Sequence, residues 1–422
     1  MKKTFTLLLL LCLTAISAMA QETNTFIPRY AGGDISLLPS YEANGTRYRD
    51  LNGKVIPDII PFCKDAGLNT MRVRLFVDPS KAPADEIAEG VRQDLDYVKA
   101  LGKRIKDAGM KLMLDFHYSD TWADPVNQWT PDAWKDLSDT ELYDKIYEYT
   151  KEVLQEMKAA GAEPDFIQTG NEISYGLCWG PYGTKSPVKA SDNWKRFATL
   201  LNRASKACRE ECPDAKVIVH TEFVRNPGMI TYFYDNITKW NVDYDIIGTS
   251  FYSYYHGDLD ALDNALTIME GYGKEIMVVE MAYYHAYQCA ISGSGKDLSG
   301  IYPISQEGQA LYLKALIDVL LKHDTVTGLF WWWMEANEYG HTGPQQTTKD
   351  WYNASLWDDQ TGKVSPALFV MKDFIGEQPT AINAVTAETK ATTSARYNLN
   401  GQRVGNNYKG IVIENGKKTI RK

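Results

Sequence analysis

The sequence predicts an α/β fold, a (β/α)8 TIM barrel followed by a short β-rich tail at the C-terminus. The chain has 422 residues, which is long enough for one large barrel and an additional segment. One junction occurs three times: a helical stretch ends at Gly67, Gly109 or Gly161, and a short apolar strand follows. Further strands of this kind bring the total to eight, alternating with helices, as in a barrel. A doubly wound parallel sheet is the alternative.

Each predicted strand is a short apolar run that ends in polar residues. The strands cover residues 33–36, 69–76, 111–117, 166–172, 216–220, 246–250, 276–280 and 328–333. The helices include residues 93–108, 141–160, 194–211, 259–272 and 306–322. Because a (β/α)8 barrel carries its functional groups at the carboxyl ends of its strands, the candidate site residues are Asp34, Arg74, His117, Glu172, His220, Tyr252, Glu280 and Trp332.

Residues 1–20 are predicted to be a cleaved signal peptide. Lys2 and Lys3 form a positively charged start, residues 7–13 are apolar, and Ala18-Met19-Ala20 is a small-residue cleavage site. The apolar run is too short to span a membrane, and no transmembrane segment is predicted elsewhere. We therefore expect a mature chain that begins at Gln21 and is secreted, periplasmic or held at the cell surface, with the catalytic barrel over residues 21–376.

Residues 377–422 are predicted to be a linker and a small β-rich tail. Two hairpin turn signals, Asn400-Gly401 and Asn415-Gly416, separate short apolar runs. From residue 381 onward the chain has eight Lys or Arg and two Asp or Glu, a net charge of +6. A segment this small buries little core alone, so we expect it either to dock on the barrel or to serve as a sorting or attachment tail.

The composition excludes some classes of function. With 45 basic and 54 acidic residues the net charge is −9, which argues against a nucleic-acid-binding protein. A core could absorb most of the 11 Trp, 26 Tyr and 13 Phe, but several of the Trp are expected to line a surface, and flat apolar surfaces suit sugar rings. Five cysteines remain after residue 20, an odd number that does not indicate a disulfide framework, although a Cys178–Cys289 bridge stays open. We expect a monomer.

Glu172 and Glu280 are the strongest candidates for catalysis. Each is a carboxylate that closes an apolar strand, a costly position unless the group is paired or used. On the fourth and seventh strands of a barrel they would face each other across its mouth. Hydrolysis of a glycosidic bond needs such a pair, one to protonate the leaving oxygen and one to attack the anomeric carbon. A structural ion pair with Arg72 or Arg74 is the alternative for either carboxylate alone.

Neighbouring residues are consistent with this chemistry. Asn171 precedes Glu172, and its amide can bind a sugar 2-hydroxyl. Arg72 and Arg74 have the same inward parity on the second strand, so either can keep the nucleophile ionised. Tyr252 can donate a hydrogen bond to Glu280, or simply pack among its aromatic neighbours.

The other candidate residues are predicted to bind substrate and not a metal. No histidine pair has metal-ligand spacing. His117 and His220 end strands and are expected to contact sugar hydroxyls. Stacking surfaces are expected from Trp122, Trp129 and one residue of Trp331-Trp332-Trp333, of which two must pack in the barrel wall by strand alternation.

Several motifs together resemble glycoside hydrolase family 53, the endo-β-1,4-galactanases, within the retaining barrel clan. They are Gly33-Asp34-Ile35-Ser36 with Glu42, residues 69–74, the run from Asp115 to Pro125, which contains Asp120 and Trp122, residues 168–173, and Val278-Val279-Glu280. The resemblance covers about residues 28–375. The tail resembles C-terminal segments of secreted Bacteroidetes proteins.

This resemblance implies specific roles and a substrate. Glu172 would be the acid/base and Glu280 the nucleophile, and the substrate would be β-1,4-galactan of pectin side chains. Some relatives hold calcium in the eighth loop, but residues 337–350 show no acidic cluster, so no cofactor or metal is expected. Two alternatives stay open: a mannanase or glucanase of the same clan, and a glycan-binding barrel without turnover.

Overall fold

The structure is a computed structural model that describes residues 27–287, 290–349, 351–376, 396–397, 409–414 and 417–421. The chain divides into two compact units, Met1–Gly376 and Glu377–Lys422. The predicted signal peptide and the turns at Asn400-Gly401 and Asn415-Gly416 lie outside the described residues. Among those that are described, no helix is long and apolar enough to cross a membrane.

Eight parallel strands close into a barrel in sequence order, with β1 paired to β8. Closure confirms the predicted barrel, and the doubly wound sheet was wrong because such a sheet has two open edges. The strands are β1 Tyr30–Asp34, β2 Thr70–Leu75, β3 Lys111–Phe116, β4 Phe166–Thr169, β5 Lys216–Thr221, β6 Ile246–Phe251, β7 Glu275–Met281 and β8 Val326–Trp331.

Helices connect the strands on the outside. In the described part of the chain they are α1 Leu38–Ala43, α2 Ile59–Asp65, α3 Ala84–Ala88, α4 Leu95–Asp107, α5 Asp139–Ala159, α6 Trp194–Glu211, α7 Pro227–Lys239, α8 Ser253–His256, α9 Leu259–Glu270, α10 Gln306–Leu320, α11 Ala367–Val370 and α12 Lys372–Ile375. Short 3-10 turns lie at Pro79–Lys81, Asp132–Trp134, Ile173–Tyr175, Phe223–Arg225 and Gly343–Gln345.

The recurring helix-to-strand junction has the predicted backbone. Gly67, Gly109 and Gly161 have φ angles of 106°, 70° and 75°, a region that glycine enters without steric cost. At its other end, α5 begins with a capping box in which Ser138 and Glu141 satisfy each other's backbone N–H groups. Sequence signals thus determine where these helices begin and end.

The first strand, β1, begins three residues before its predicted start. Gly32 explains the shift, because a Cβ there would lie 1.6 Å from the Thr70 carbonyl oxygen. The missing side chain lets β1 approach β2 closely, and residues 30–33 pair with β8.

The barrel interior changes from apolar to polar along its axis. The lower part is filled by a separate cluster of buried side chains from successive strands: Met113, Phe166, Ile218, Ile246, Met277, Val279 and Phe330. Towards the carboxyl ends of the strands, the buried residues are polar and include Arg72, Asp115, Gln168 and His220. The carboxyl ends of the strands therefore surround a layer of buried polar groups, which is where a barrel enzyme places its site.

The tail contains an antiparallel sheet in the order β11-β10-β9. Its strands are β9 Arg396–Tyr397, β10 Gly410–Glu414 and β11 Lys417–Arg421. Two of its pairings are Glu414 with Lys417 and Gly410 with Arg421. The short β-rich tail that the sequence predicts is therefore present in the described residues.

Candidate active site

A cavity of about 620 Å³ opens at the carboxyl ends of the strands and contains both predicted carboxylates. Glu172 follows β4, and Glu280 lies near the end of β7. One carboxylate oxygen of Glu172 lies within 4.8 Å of one carboxylate oxygen of Glu280. A short distance of this kind suits direct attack of one carboxylate on the anomeric carbon while the other protonates the leaving oxygen. It leaves little room for a water molecule between the two carboxylates.

The backbone places both carboxylates by departing from regular strand geometry. Glu172 has φ 44° and ψ 48°, a left-handed conformation that is unfavourable for a residue with a side chain. On β7 the register shifts, so that Thr249 pairs with Val278 and Ser250 pairs with Glu280. Val279 points into the apolar barrel interior, yet its neighbour Glu280 lines the cavity. The bulge makes this possible, because regular alternation would turn one of them outward.

Arg72 holds Glu280 from below. Its Nη2 lies 2.9 Å from Glu280 Oε1 and 2.8 Å from Asp115 Oδ2, and its Nη1 lies 3.1 Å from Asp34 Oδ2. The Arg72 side chain is fully buried. A buried guanidinium shared among three carboxylates fixes the position of Glu280 and favours its ionised form.

Tyr252 contacts the other oxygen of Glu280. The predicted hydrogen bond from the Tyr252 hydroxyl to Glu280 Oε2 is present at 2.9 Å. Arg72 and Tyr252 thus approach different oxygens of the same carboxylate, which leaves its orientation little freedom.

Ser250 and His220 connect the two carboxylates. The Ser250 hydroxyl donates to Glu172 Oε1 at 2.6 Å and lies 3.5 Å from Glu280 Oε2. His220 Nδ1 is positioned to accept the Glu172 backbone N–H at 3.2 Å, which places the ring proton on Nε2, 2.8 Å from Ser250 Oγ. A chain of donors therefore runs from His220 through Ser250 to Glu172.

The two carboxyl groups differ in their surroundings. Burial raises the pKa of Glu172 well above its ordinary value, and the charge of Glu280 raises it further. Burial raises the pKa of Glu280 as well, while Arg72 and the Tyr252 hydroxyl lower it, and the net result is a pKa of about 7. Glu172 is therefore the group that keeps its proton to higher pH, and Glu280 is the group that ionises first.

Comparison with known proteins identifies the family. The model of glycosyl hydrolase family 53 matches residues 30–371. The chain is 33% identical over 307 residues to the endo-beta-1,4-galactanase of Bacillus subtilis (strain 168), covering 71% of this chain and 68% of that protein. It is 32% identical over 312 residues to the arabinogalactan endo-beta-1,4-galactanase of Thermothelomyces thermophilus, covering 72% and 88%. The chain belongs to glycosyl hydrolase family 53. It is therefore a glycoside hydrolase.

Solved structures agree with this assignment. The catalytic domain of a family 53 protein from Ignisphaera aggregans aligns with a TM-score of 0.73 at 30% identity, over 84% of this chain and 98% of that one. A structure from a study of two fungal beta-1,4-galactanases gives a TM-score of 0.69 at 29% identity, over 82% and 100%. An intracellular xylanase aligns with a TM-score of 0.52 at 14% identity, and a similarity at this level indicates the fold alone.

Asn171 and the tryptophans of this family 53 hydrolase line the cavity. Asn171 Oδ1 accepts from Arg72 at 2.8 Å, and its Nδ2 donates to the Ala123 carbonyl at 2.7 Å, which fixes the amide. Trp122, Trp332 and Trp333 form one wall. Of the three consecutive tryptophans, Trp331 and Trp333 are almost completely buried, as expected for two of them, although Trp333 also borders the cavity. The strand β8 ends at Trp331, and Trp333 has φ 53°, so alternation no longer applies.

Arg74 and Asp34 support the site from beneath and do not line the cavity. Arg74 Nη1 lies 2.9 Å from Asp34 Oδ1, and the guanidinium packs against the rings of Trp122, Trp332 and Trp333 at 4.8 to 5.2 Å. Of the two arginines that were candidates for pairing with Glu280, Arg72 is the one that contacts it. Asp34 was predicted to bind substrate, but its carboxylate is buried beneath both arginines.

His117, His220 and Asp120 were also predicted to bind substrate; in the structure all three are buried and none of them lines the cavity. His117 is buried, with Nδ1 accepting from the Ala123 backbone at 3.0 Å and Nε2 3.2 Å from Asp115. His220 is buried behind Ser250. Asp120 accepts the backbone N–H groups of residues 78 and 132 and so ties two loops together. Each of the three side chains thus contacts other protein groups.

Sequence reasoning missed several residues of the site. Ser250 ends a predicted strand, so the rule used for the other residues would have found it. Asp115 and Gln168 lie within the motifs that resemble family 53. In the structure Gln168 Nε2 donates to Asp115 Oδ1 at 2.5 Å. Glu222 follows β5, and Trp351 comes from the long segment after β8; both line the cavity. No sequence signal distinguished Trp351, because nothing in that segment indicates that it folds over the mouth.

The predicted absence of a metal stays a prediction, and the Cys178–Cys289 bridge stays open. Within the described ranges, the one group of three side chains with metal-ligand proximity is Glu172, His220 and Glu280, and its contacts are those of the carboxylate pair. That no calcium binds is therefore still a prediction from the sequence. Cys178 is a buried free thiol, and Cys289 lies outside the described residues.

Replacing Asp34 with asparagine is expected to lower the free energy of unfolding by about 3–5 kcal/mol, because two buried guanidinium groups lose a shared counter-charge. Urea denaturation of both proteins measures the difference. Asp107→Asn is the matched control, since Asp107 forms an exposed ion pair with Lys103. That control is expected to change stability by less than about 1 kcal/mol. Equal effects for the two variants would contradict the structural role given to Asp34.

Proposed function

We propose that this hydrolase is a secreted, retaining endo-β-1,4-galactanase that cleaves β-1,4-galactan of the kind found in pectin side chains. The observation that carries the mechanism is the Glu172–Glu280 pair, whose oxygens lie within 4.8 Å and whose environments differ. The substrate rests on the named galactanases among the family relatives. Secretion rests on the signal-like segment of residues 1–20.

The proposed reaction has two displacements. Glu280 attacks the anomeric carbon while Glu172 gives its proton to the leaving oxygen, so a glycosyl–Glu280 ester forms and the rest of the chain departs. Water then attacks the anomeric carbon, Glu172 takes a proton from it, and Glu280 leaves as a carboxylate. The configuration is inverted twice and therefore retained.

The surrounding residues have defined parts in this scheme. Arg72 and Tyr252 hold one oxygen each of Glu280 and stabilise its charge in the free enzyme. Asn171 is fixed by Arg72 and Ala123 and lines the cavity, so the remaining N–H of its amide is available for a sugar hydroxyl. The tryptophan wall offers flat apolar surfaces to the sugar rings.

The substrate is tested with purified residues 21–422 on pectic galactan, mannan and cellulosic glucan, measuring reducing-sugar release and product size. Rapid release of short galacto-oligosaccharides from galactan alone is the expected result. Activity only on another glycan would replace galactan with that substrate and keep the mechanism. Binding without turnover on all three would contradict the proposal and favour a glycan-binding barrel.

The pH dependence of kcat/KM is expected to be bell-shaped, because turnover needs Glu172 protonated and Glu280 ionised. Activity falls as the pH rises through the raised pKa of Glu172, and it falls as the pH drops through the pKa of Glu280. The hydrogen bond from Ser250 lowers the pKa of Glu172. In Ser250→Ala the alkaline limb is therefore expected to move upward, by about one pH unit.

The Tyr252 hydrogen bond lowers the pKa of Glu280. In Tyr252→Phe the acid limb is therefore expected to move upward, while the alkaline limb changes less. Profiles measured on one soluble oligosaccharide separate the two variants. Movement of the same limb in both would contradict the assignment of acid and nucleophile.

A further inference from the structure

Three polar side chains lie on the side of the cavity opposite the tryptophans. They are Glu222, which follows β5, Arg225 from the next turn, and His256 at the end of α8; we refer to them as the Glu222 cluster. Strands β4 and β7, which carry the catalytic pair, divide the closed barrel into two arcs. The tryptophans follow β3 and β8 on one arc, and the Glu222 cluster follows β5 and β6 on the other.

Glu222 is buried, and its charged partner, Arg225, lies 3.9 Å away. The Glu222 side chain is 3% exposed, and within the described residues neither carboxylate oxygen accepts a hydrogen bond. Such a group is costly to bury, because it loses water and gains no donor. Since Glu222 also lines the cavity, its missing donors can come from a bound ligand.

Two side chains of the cluster lie just beyond hydrogen-bond distance of the Glu222 carboxylate. Arg225 Nε lies 3.9 Å from Glu222 Oε2, and His256 Nε2 lies 4.0 Å from the same oxygen, both beyond hydrogen-bond distance. His256 Nδ1 accepts the Tyr252 backbone N–H at 3.1 Å, which places the ring proton on Nε2. The cluster therefore offers acceptors on Glu222 and donors on the two neighbours, the combination that binds hydroxyl groups.

The cluster lies on the same side of the pair as the acid. The Glu222 backbone N–H donates to Ser174 Oγ at 3.1 Å, and Ser174 is two residues after Glu172. The charge of Glu222 also acts on the carboxyl of Glu172. Because the acid must face the oxygen that leaves, a sugar beyond Glu172 in this direction belongs to the departing part of the substrate.

We propose that the Glu222 cluster binds hydroxyl groups of the sugar that leaves, the first residue beyond the cleaved bond, with Glu222 accepting and Arg225 donating. The inference rests on the proposed retaining hydrolysis and adds a binding site on the leaving-group side. Correct placement of that sugar aligns its glycosidic oxygen with Glu172, so the binding energy is realised in the first displacement.

Two substrates with the same glycosyl part separate this role from others. In a galacto-oligosaccharide the leaving group is a sugar, whereas in a nitrophenyl β-galactobioside it is an aryl ring without hydroxyls. For Glu222→Gln and Arg225→Met we expect kcat/KM on the oligosaccharide to fall about 10- to 100-fold, the effect of losing hydrogen bonds to a charged group. On the aryl substrate both variants should stay close to the unmodified enzyme.

Three controls complete the experiment. Rates are compared at each variant's own pH optimum, because the charge of Glu222 also raises the pKa of Glu172. Glu307→Gln removes one exposed carboxylate on α10 and should alter neither rate. The thermal midpoint of Glu222→Gln should not be lower than that of the unmodified enzyme, since the substitution removes a buried charge without a hydrogen-bond donor.

The outcomes separate the inference from the proposed function. Equal losses on both substrates, or no loss on either, would overturn the role of the cluster while leaving the galactanase proposal intact. If the unmodified enzyme cleaves a different glycan, the same comparison with that glycan's oligosaccharide and aryl glycoside tests the cluster. If it binds glycan without turnover, both proposals fail, because a leaving-group site requires a bond that breaks.

Discussion

Replacing Glu280 with alanine is expected to lower kcat on galactan by at least ~10⁴-fold while leaving galactan binding intact. The variant lacks the group that forms the bond to the anomeric carbon, and the cavity offers no second carboxylate in the same position. Arg72 and Tyr252, which both contact Glu280, would then face an empty space. Binding should persist because the tryptophan wall and Asn171 are unchanged.

A small anion distinguishes loss of the nucleophile from loss of structure. Azide added to Glu280→Ala can enter the vacated space and attack from the same face, which gives an α-galactosyl azide from an aryl β-galactoside. Rescue with this stereochemistry is the expected result, and Glu307→Gln, which changes an exposed carboxylate, serves as the control with unmodified turnover. A rate for Glu280→Ala close to that of the unmodified enzyme would exclude Glu280 as the nucleophile.

Replacing Glu172 with alanine is expected to lower kcat on galactan by about 10²–10⁴-fold, the range that general acid–base catalysis contributes. The loss should depend on the leaving group. A nitrophenolate needs no proton, so the first displacement on an aryl substrate should continue and the glycosyl-enzyme should accumulate as a burst. Galactan, whose leaving oxygen is a poor leaving group, should be affected in full.

Azide also tests this assignment. In Glu172→Ala the vacated space lies on the face from which water attacks the ester, so azide should restore turnover and give a β-galactosyl azide. Products of opposite configuration from the two variants would establish that the carboxylates act on opposite faces. The same configuration from both, or leaving-group-independent loss in Glu172→Ala, would contradict the division of roles.

Much of the fold and the two carboxylates of the proposed catalytic pair could be predicted from local sequence. The glycines at residues 67, 109 and 161 mark helix ends because few other residues tolerate positive φ there. The apolar runs mark strands, and the barrel rule then directs attention to their carboxyl ends. Glu172 and Glu280 follow from that rule, and so does Tyr252, whose contact with Glu280 is present.

Substrate contacts are harder to predict from sequence, because a polar residue at a strand end can meet either a ligand or another protein group. Asp34, His117 and His220 all lie near the centre of the barrel, yet their polar atoms are satisfied by Arg72, Asp115 and Ser250. Sequence position does not distinguish these cases, since the partners come from other strands.

The sequence by itself determined the barrel, its helix ends and which residues can carry the chemistry, because those depend on side-chain type and short-range backbone preference. Only the tertiary structure decided where these groups point. The bulge at Val279 turns Glu280 into the cavity against strand alternation, and the left-handed backbone of Glu172 brings its carboxyl within reach of Ser250. The burial of Glu222 without donors depends likewise on packing between β4, β5 and β6. Such features arise from contacts between strands far apart in the chain, which local patterns do not encode.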